Sequence, residues 1–448
     1  MTLPRTIDVQ EFINAHKVSA TQLVTLLLCF FIVAVDGFDT AAIGFIAPAI
    51  RAEWGLTPSS LAPVFGAGLA GLMAGALLFG PLADRYGRKR ILMVCVGFFG
   101  LASLATAYSS SLDTLVVLRF LTGLGLGGAM PNSVTLSSEY SPERHRSALV
   151  TTMFCGFTLG SALGGVAAAH IVADLGWRAV LVVGGVLPLL LVPVLALVLP
   201  ESVRYLVVNG LELDQVKRVL QRIAPSEDLS QAAFTVPEKA QAGFPVTHLF
   251  DANLRRGTLF LWLAFFMSLL VIYLLSSWLP TLIHSTGMTL KDASLVTAMF
   301  QVGGTVGAIA LGQLMDRFKP QRVLGLTYAL AAAFTALIGN STGNTVLLVF
   351  AVFGAGFCVS GAQVGANALA AAFYPTATRA TGVSWASGIG RIGSVLGSMA
   401  GGWMLALGWS LPVVFTLVGV PAVIAGISML AMGRTERLQV DLQLGAVH

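Results

Sequence analysis

Apolar residues run in stretches of about 17 to 25 along nearly the whole chain, each long enough to cross a hydrocarbon layer of roughly 30 Å. They fall at residues 22–48, 59–82, 91–109, 113–136, 148–171, 178–199, 257–280, 293–315, 322–340, 344–368, 378–403 and 410–432. They are rich in Gly and Ala as well as Leu and Val. Backbone groups inside lipid must be satisfied within the segment, so each stretch is expected to be a helix. The pattern predicts an all-α integral membrane protein with twelve transmembrane helices.

One long polar segment, 200–256, interrupts the series, with six apolar stretches before it and six after. The organisation expected is a cytoplasmic segment over 1–21, a six-helix bundle over 22–199, a linker over 200–256, a second six-helix bundle over 257–432 and a tail over 433–448. The linker carries LDQVKRVLQRIAPSEDLSQ and then a loop with Pro237 and Pro245, and is expected to form one or two short amphipathic helices. Two related bundles of this kind hold a site between them. A short internal repeat supports the division: GPLADRYGRKR at 80–90 follows the second stretch, and GQLMDRFKPQR at 312–322 follows the eighth. Both set a glycine four residues before an Asp-Arg pair; the second copy has Phe318, Lys319 and Pro320 where the first continues with Tyr86, Gly87 and Arg88.

Composition excludes a soluble fold. The 448 residues are 56% hydrophobic and 10% charged, with a mean hydropathy of +0.83, whereas soluble domains carry about 25% charged residues. The placement of charge gives the orientation. With both termini cytoplasmic, the inner segments hold nearly all the basic residues, from Arg5 through the 85–90 cluster and the linker's Lys217, Arg218 and Lys239 to Arg379, Arg434 and Arg437. The outer loops keep Arg51, Arg178 and Lys291. This is the positive-inside asymmetry, and it agrees with an even helix count. The formal charge of +5 follows from that topology and gives no reason to expect nucleic acid. The mixed residues before the first stretch do not resemble a cleaved signal peptide. Cys29, Cys95, Cys155 and Cys358 stand singly in four stretches without metal-ligand spacing, as packing residues do. No nucleophile with a positioned base is evident, so no enzymatic activity and no cofactor is expected.

A few charged residues inside the stretches carry the candidate chemistry, because ions in lipid are costly and tend to be functional. Asp36 and Asp39 lie three apart on one helix face, about 20 to 25 Å into the first stretch. Arg119 is about 9 Å into the fourth from its outer end, a comparable depth, so it can pair with either acid. Two acids so close in low dielectric do not both ionise easily, so one of them can exchange a proton while the other stays charged. Which one is left open by the sequence. Arg391 is about 20 Å into the eleventh stretch, and no acid lies in any carboxy-terminal stretch. Its charge is to be answered by the other half of the molecule, by water or by a bound anion, and its planar fork of donors suits a carboxylate. Phe154, Phe157, Tyr273, Gln301 and Trp385 are candidates for lining a cavity. Trp385 and Arg391, six apart, do not share a helix face well.

At the inner ends, Asp84 is an acid that topology does not require. It is expected to latch the inner side by accepting hydrogen bonds from a neighbouring helix N-terminus, with Arg85 and Arg88 in reach of carboxylates; Lys89 and Arg90 read as anchors. Glycines spaced by four, such as Gly71 and Gly75, Gly156 and Gly160, Gly303 and Gly307, and Gly393 and Gly397, flatten one face per helix for close packing.

The chain resembles the major facilitator superfamily, and within it the aromatic-acid/proton symporters. The motifs that carry this are DGFDTAAIGFIAPAI from Asp36, GPLADRYGRKR from Gly80, LRFLTGLGLGGAMPN from Leu118, PESVRYL from Pro200, SSWLPTL from Ser276 and YPTATRATGVSWASGIGRIGS from Tyr374. The resemblance implies a monomeric inner-membrane carrier in lipid that takes up an aromatic carboxylate of the hydroxybenzoate, protocatechuate or gallate class with protons. Carriers of other small organic anions, or a carrier that also acts in chemosensing, would keep the same bundle. By position, the resemblance implies proton coupling at Asp36 and Asp39, substrate contact at Arg119 and Arg391, and gating at Asp84, Arg85, Arg88 and Glu139. The shortened second motif sets Asp316 and Arg317 apart as weaker members of the gate.

Overall fold

The computed structural model describes residues 6–210, 213–229, 232–236, 249–251, 254–341, 343–374 and 379–445, apart from the side chains of 147, 379, 380 and 434–445. Arg5, Lys239, Pro237, Pro245, residues 375–378 and the side chains of Arg379, Arg434 and Arg437 therefore lie outside the described residues.

Helix α1 (Val9–Ala15) starts at Asp8, whose carboxylate accepts from the backbone N–H groups of Gln10 and Glu11. Six long helices follow: α2 (Ala20–Trp54), α3 (Ala62–Tyr86), α4 (Arg88–Ala107), α5 (Leu112–Glu139), α6 (Glu143–Leu175) and α7 (Trp177–Val198). The linker region adds α8 (Val203–Val208) and α9 (Leu213–Ile223). Six more long helices complete the chain: α10 (Arg255–His284), α11 (Leu290–Arg317), α12 (Pro320–Asn340), α13 (Thr345–Phe373), α14 (Arg379–Ala406) and α15 (Leu411–Gly445). Eleven of the twelve are both long and apolar enough to cross a membrane. The other, α14, is 28 residues long; glycine, serine and the buried-charge candidate Arg391 lower its hydropathy rather than its length. The protein is a multi-pass membrane protein.

Several helices outrun their apolar stretches. α2 continues past residue 48 to Trp54 because Glu53 accepts from Trp177 Nε1 and Arg178 Nη1, both at 2.6 Å, fixing its last turn to the start of α7.

The chain packs into two compact units. The first comprises Met1–Thr40, Ala70–Gly160 and Leu181–Gln241. Its helices touch backbone to backbone at small residues: a Cβ on Gly75 would lie 2.0 Å from the Leu124 carbonyl oxygen, and one on Gly160 would lie 1.8 Å from that of Ala34. The linker and amino terminus join this core. Strand β1 (Thr6–Asp8) pairs in parallel with β2 (Ala233–Thr235), Ile7 opposite Phe234. Phe12 and Ile13 of α1, Leu206 of α8 and Val216, Leu220 and Ile223 of α9 are buried in one cluster with Ile32 of α2 and Leu92 of α4. Where the sequence predicts one or two short amphipathic helices, the linker forms two short helices, of which α9 is the amphipathic one, and the short β-ladder is an addition to them.

The second unit comprises Ala41–Leu69, Ser161–Val180 and Ala242–His448. α11 and α13 touch where Gly303 faces the Phe353 carbonyl and Gly307 that of Phe357. α10 and α14 touch where Gly393 faces Phe266 and Gly397 faces Leu270. The far ends of α2, α3 and α6 belong to this unit because Gly44 lies against the Ser276 carbonyl, Phe65 meets Trp278 edge-on at 5.1 Å, and Gly165 lies against Phe45 and Ala298.

Candidate functional site

In the first unit, the amphipathic logic of a soluble helix is reversed around α2: its charged residues face inward. Asp36 and Asp39 are fully buried and Arg119 is 3% exposed. Arg119 Nη1 is 2.9 Å from Asp39 Oδ2, and Nη2 reaches the Asp39 carbonyl at 3.5 Å. Of the two partners that depth allowed, the structure selects Asp39. Its other oxygen, Oδ1, accepts from Ser103 Oγ at 2.7 Å. Asp36 Oδ1 accepts from Thr40 Oγ1 at 3.1 Å, one turn along the same helix. Gly37, between the acids, allows α6 to approach: a Cβ there would sit 2.1 Å from the Phe157 carbonyl oxygen. Phe154 lies one turn before Phe157, with ring centroids 6.3 Å apart. A buried pair such as Arg119 and Asp39 contributes little net stability, but removing one partner strands a charge and costs about 3–5 kcal/mol.

In the second unit, Arg391 Nη1 donates to Tyr273 Oη at 3.2 Å. The contact is set by the close α10–α14 packing just beside it, where Gly390 and Gly393 meet Leu269 and Phe266. Gln301 of α11 is buried, 7% exposed. Trp385 stacks on Trp262 of α10, with centroids 5.8 Å apart and planes at 17°. Trp262 and Tyr273 are separated by three turns of α10, about 16 Å. Trp385 and Arg391 therefore do not form one pocket, as their spacing on α14 already indicated. Gln363 on α13, absent from the sequence candidates, is buried with no partner for Oε1 among the described residues.

The residues expected at the inner ends also come together in the first unit. Arg88 Nη1 is 3.0 Å from Glu139 Oε1 and Nη2 is 3.4 Å from Asp84 Oδ1. Ser202 Oγ donates to Glu139 Oε2 at 2.6 Å. One correction concerns the helix N-terminus. Glu201, not Asp84, receives its free donors: Glu201 Oε1 accepts from the backbone N–H of Arg88 at 2.8 Å and of Lys89 at 3.0 Å, at the start of α4. Asp84 is 74% exposed on its side chain. Gly87 makes this possible with a φ of 99°, and any Cβ there would fall 2.4 Å from Glu201 Oε2. Glu201 stands in PESVRYL, an acid just beyond the sixth stretch, and that placement among inner basic residues was the available signal. Arg85 lies over the Tyr86 ring at 5.3 Å, and its carbonyl accepts from Tyr205 Oη. In the second copy of the motif, Asp316 and Arg317 are exposed, and neither makes an ion pair among the described residues.

Known proteins give these observations a context. The Major Facilitator Superfamily profile matches residues 29–289 and 261–443. The chain is 51% identical over 429 residues to the 4-hydroxybenzoate transporter PcaK of Pseudomonas aeruginosa, covering 95% of this chain and 96% of that one. It is 47% identical over 431 residues to the gallate transporter of Pseudomonas putida, covering 96% of each. Among solved structures, the inward-open xylose transporter XylE of E. coli superposes with a TM-score of 0.72 over 91% of this chain and 95% of that one, at 19% identity, which is a likeness of fold. The chain belongs to the major facilitator superfamily and, within it, to the aromatic acid:proton symporter family.

Proposed function

We propose that this chain is a proton-coupled symporter that imports an aromatic carboxylate of the hydroxybenzoate, protocatechuate or gallate class across a bacterial inner membrane by alternating access. The observation that carries the reading is the fully buried Asp36 and Asp39 with Arg119 on Asp39, in a chain 51% identical over 95% of its length to a named aromatic-acid carrier. Protonating one of two clustered acids changes which hydrogen bonds Arg119 and its neighbours can make, and such a two-state cluster lets a proton bias the carrier's conformation. Arg391 takes the substrate carboxylate, since a guanidinium offers two parallel N–H donors to that group. Tyr273, already hydrogen-bonded to it, orients the guanidinium. Gln301 serves the same substrate as a buried polar contact. Glu139, Arg88 and Asp84 act in the inner gate with Arg85, and Asp316 and Arg317 contribute less. Both termini are cytoplasmic and the carrier works as a monomer in lipid.

The test is proton flux in vesicles containing the purified full chain and an internal pH dye. Adding 4-hydroxybenzoate outside at equal pH is expected to acidify the lumen, with no change in its absence. An inward-directed pH gradient is expected to drive accumulation, which a protonophore abolishes. Uptake indifferent to both the gradient and the protonophore overturns the symport reading.

A further inference from the structure

Hydroxyl groups inside membrane helices commonly turn back onto their own helix, and this chain follows the habit. Thr106, Thr122, Ser133 and Ser141 each donate to the carbonyl four residues earlier. Ser103 does something different. Fully buried on α4, it donates across to Asp39 Oδ1 on α2 at 2.7 Å, with the Leu181 carbonyl of α7 at 3.4 Å as a second acceptor.

A hydroxyl has a single proton to donate, so these two acceptors are alternatives. The seam that holds Ser103 is tight. A Cβ on Gly185 of α7 would lie 2.8 Å from the Gly100 carbonyl oxygen of α4, and one on Gly184 would lie 3.5 Å from both Asp39 Oδ1 and Ser103 Oγ. The serine is thereby fixed against the one carboxylate that also binds Arg119. The charged groups close to Asp39 are Arg119 from α5 and Asp36 on its own helix. On α4, Arg88, Lys89 and Arg90 stand about 20 Å or more from Ser103 along the axis. On α7, Arg178 is bound to Glu53, and α6 brings the Phe157 backbone beside Gly37.

We propose that Ser103 is a positioning residue for proton coupling, a two-position donor that holds Asp39 in line with Arg119 and passes its hydrogen bond to the Leu181 carbonyl when Asp39 lets go. Ser103 neither gains nor loses a proton in this step. The second acceptor matters because a buried donor left without a partner is costly; with Leu181 in reach, Asp39 is released without stranding the hydroxyl. The proposal rests on the symport reading above.

The test uses the full-length protein in vesicles as wild type, Ser103→Ala, Ser103→Cys and Ser103→Thr, with 4-hydroxybenzoate as probe. Three quantities are read: accumulation driven by a pH gradient, counterflow exchange without a gradient, and equilibrium binding. Counterflow needs the carrier to cycle loaded, but needs no net proton movement. Ser103→Ala is expected to lower accumulation at least about threefold, the loss of one buried hydrogen bond, while counterflow and binding stay near wild type. Ser103→Thr restores accumulation, and Ser103→Cys, similar in volume but a feeble donor, behaves like the alanine variant. Should the alanine variant fail to fold, the cysteine and threonine variants carry the comparison. Equal losses of accumulation and counterflow, or a cysteine variant indistinguishable from wild type, assign Ser103 to packing and overturn the proposal. Wild-type protein that does not accumulate substrate down a pH gradient overturns the symport reading itself, and this proposal with it.

Discussion

Arg119 and Arg391 are both arginines inside membrane helices, and their partners differ in kind. Arg119 sits 2.9 Å from a buried carboxylate that a serine hydroxyl also holds. Arg391 donates to a phenol at 3.2 Å. The two copies of the short loop motif repeat the contrast. In the first unit Arg88 is bound by Glu139 and Asp84, with Glu201 on the start of α4; in the second, the matching Asp316 and Arg317 face outward. The first unit places Asp39 and Glu139 against Arg119 and Arg88, whereas the apolar stretches of residues 257–432 carry Arg391 and no acid. On the function proposed above, the first unit handles protons and the gate, and the second offers a cation suited to an anionic substrate.

The largest effect that can break this division is expected at Asp39. Asp39→Asn removes the negative partner of Arg119, and stranding a buried charge costs about 3–5 kcal/mol. Gradient-driven accumulation is expected to vanish, with substrate binding at Arg391 affected far less. If equilibrium binding disappears as completely as accumulation, the acids and the substrate site are not separate jobs.

Arg391→Lys comes next. Lysine keeps the charge but loses the fork, so binding of 4-hydroxybenzoate is expected to weaken roughly tenfold, the scale of one hydrogen bond to a charged group, with protein level unchanged and Arg391→Ala worse. The neutral amide analogue is expected to bind wild type poorly. Equal loss of affinity for acid and amide in the lysine variant would show that Arg391 sets a conformation instead of holding the carboxylate.

Much of this was legible in the sequence, for identifiable reasons. Transmembrane helices depend on local apolar length, so all twelve could be read from their stretches, and only their ends moved. That Arg119 would meet one of the two acids was legible because depth along a membrane helix is a ruler, and two charges at like depth in one bundle are costly apart; that the acid is Asp39 was not. Ser103 and Glu201 were not. A serine in a membrane helix usually satisfies itself locally, and nothing at position 103 marks the exception, which needs the approach of α2 and α7 to appear. Nor can three residues at Thr6–Asp8 announce a partner strand more than 200 residues away; strand registry is set by the folded linker beside them. Glu201's role depends on the positive φ of Gly87, which a glycine permits without requiring.

That difference between Glu201 and Asp84 gives a sharper test of the gate. Glu201→Gln leaves an acceptor at the start of α4 but removes the negative charge that complements the helix end, an effect of up to about 2 kcal/mol when partly buried. Turnover is expected to slow several-fold with little change in binding affinity. Asp84→Asn, on an exposed side chain, is expected to act in the same direction but within about threefold. If Asp84→Asn proves the more damaging, the exposed acid finds its important partner in a conformation other than this one, and the latch belongs to that state.

The smallest effect is expected at Asp316. It occupies the position in the second motif that Asp84 occupies in the first, yet it is exposed and makes no ion pair among the described residues, and the basic run Arg88, Lys89 and Arg90 of the first motif is replaced by Pro320, Gln321 and Arg322. Proline at the start of α12 lacks the N–H that Arg88 and Lys89 offer to Glu201, so one backbone donor of an equivalent cap is missing outright. An exposed charge with no partner contributes within about 1 kcal/mol, and Asp316→Asn is therefore expected to leave both turnover and binding within roughly twofold of wild type. The double variant with Asp84→Asn then reads the coupling directly: rate losses that multiply show two independent loops, whereas a double variant no slower than Asp84→Asn alone would show that both loops act on one step. A single Asp316→Asn change that stops transport would end the division of labour between the two units.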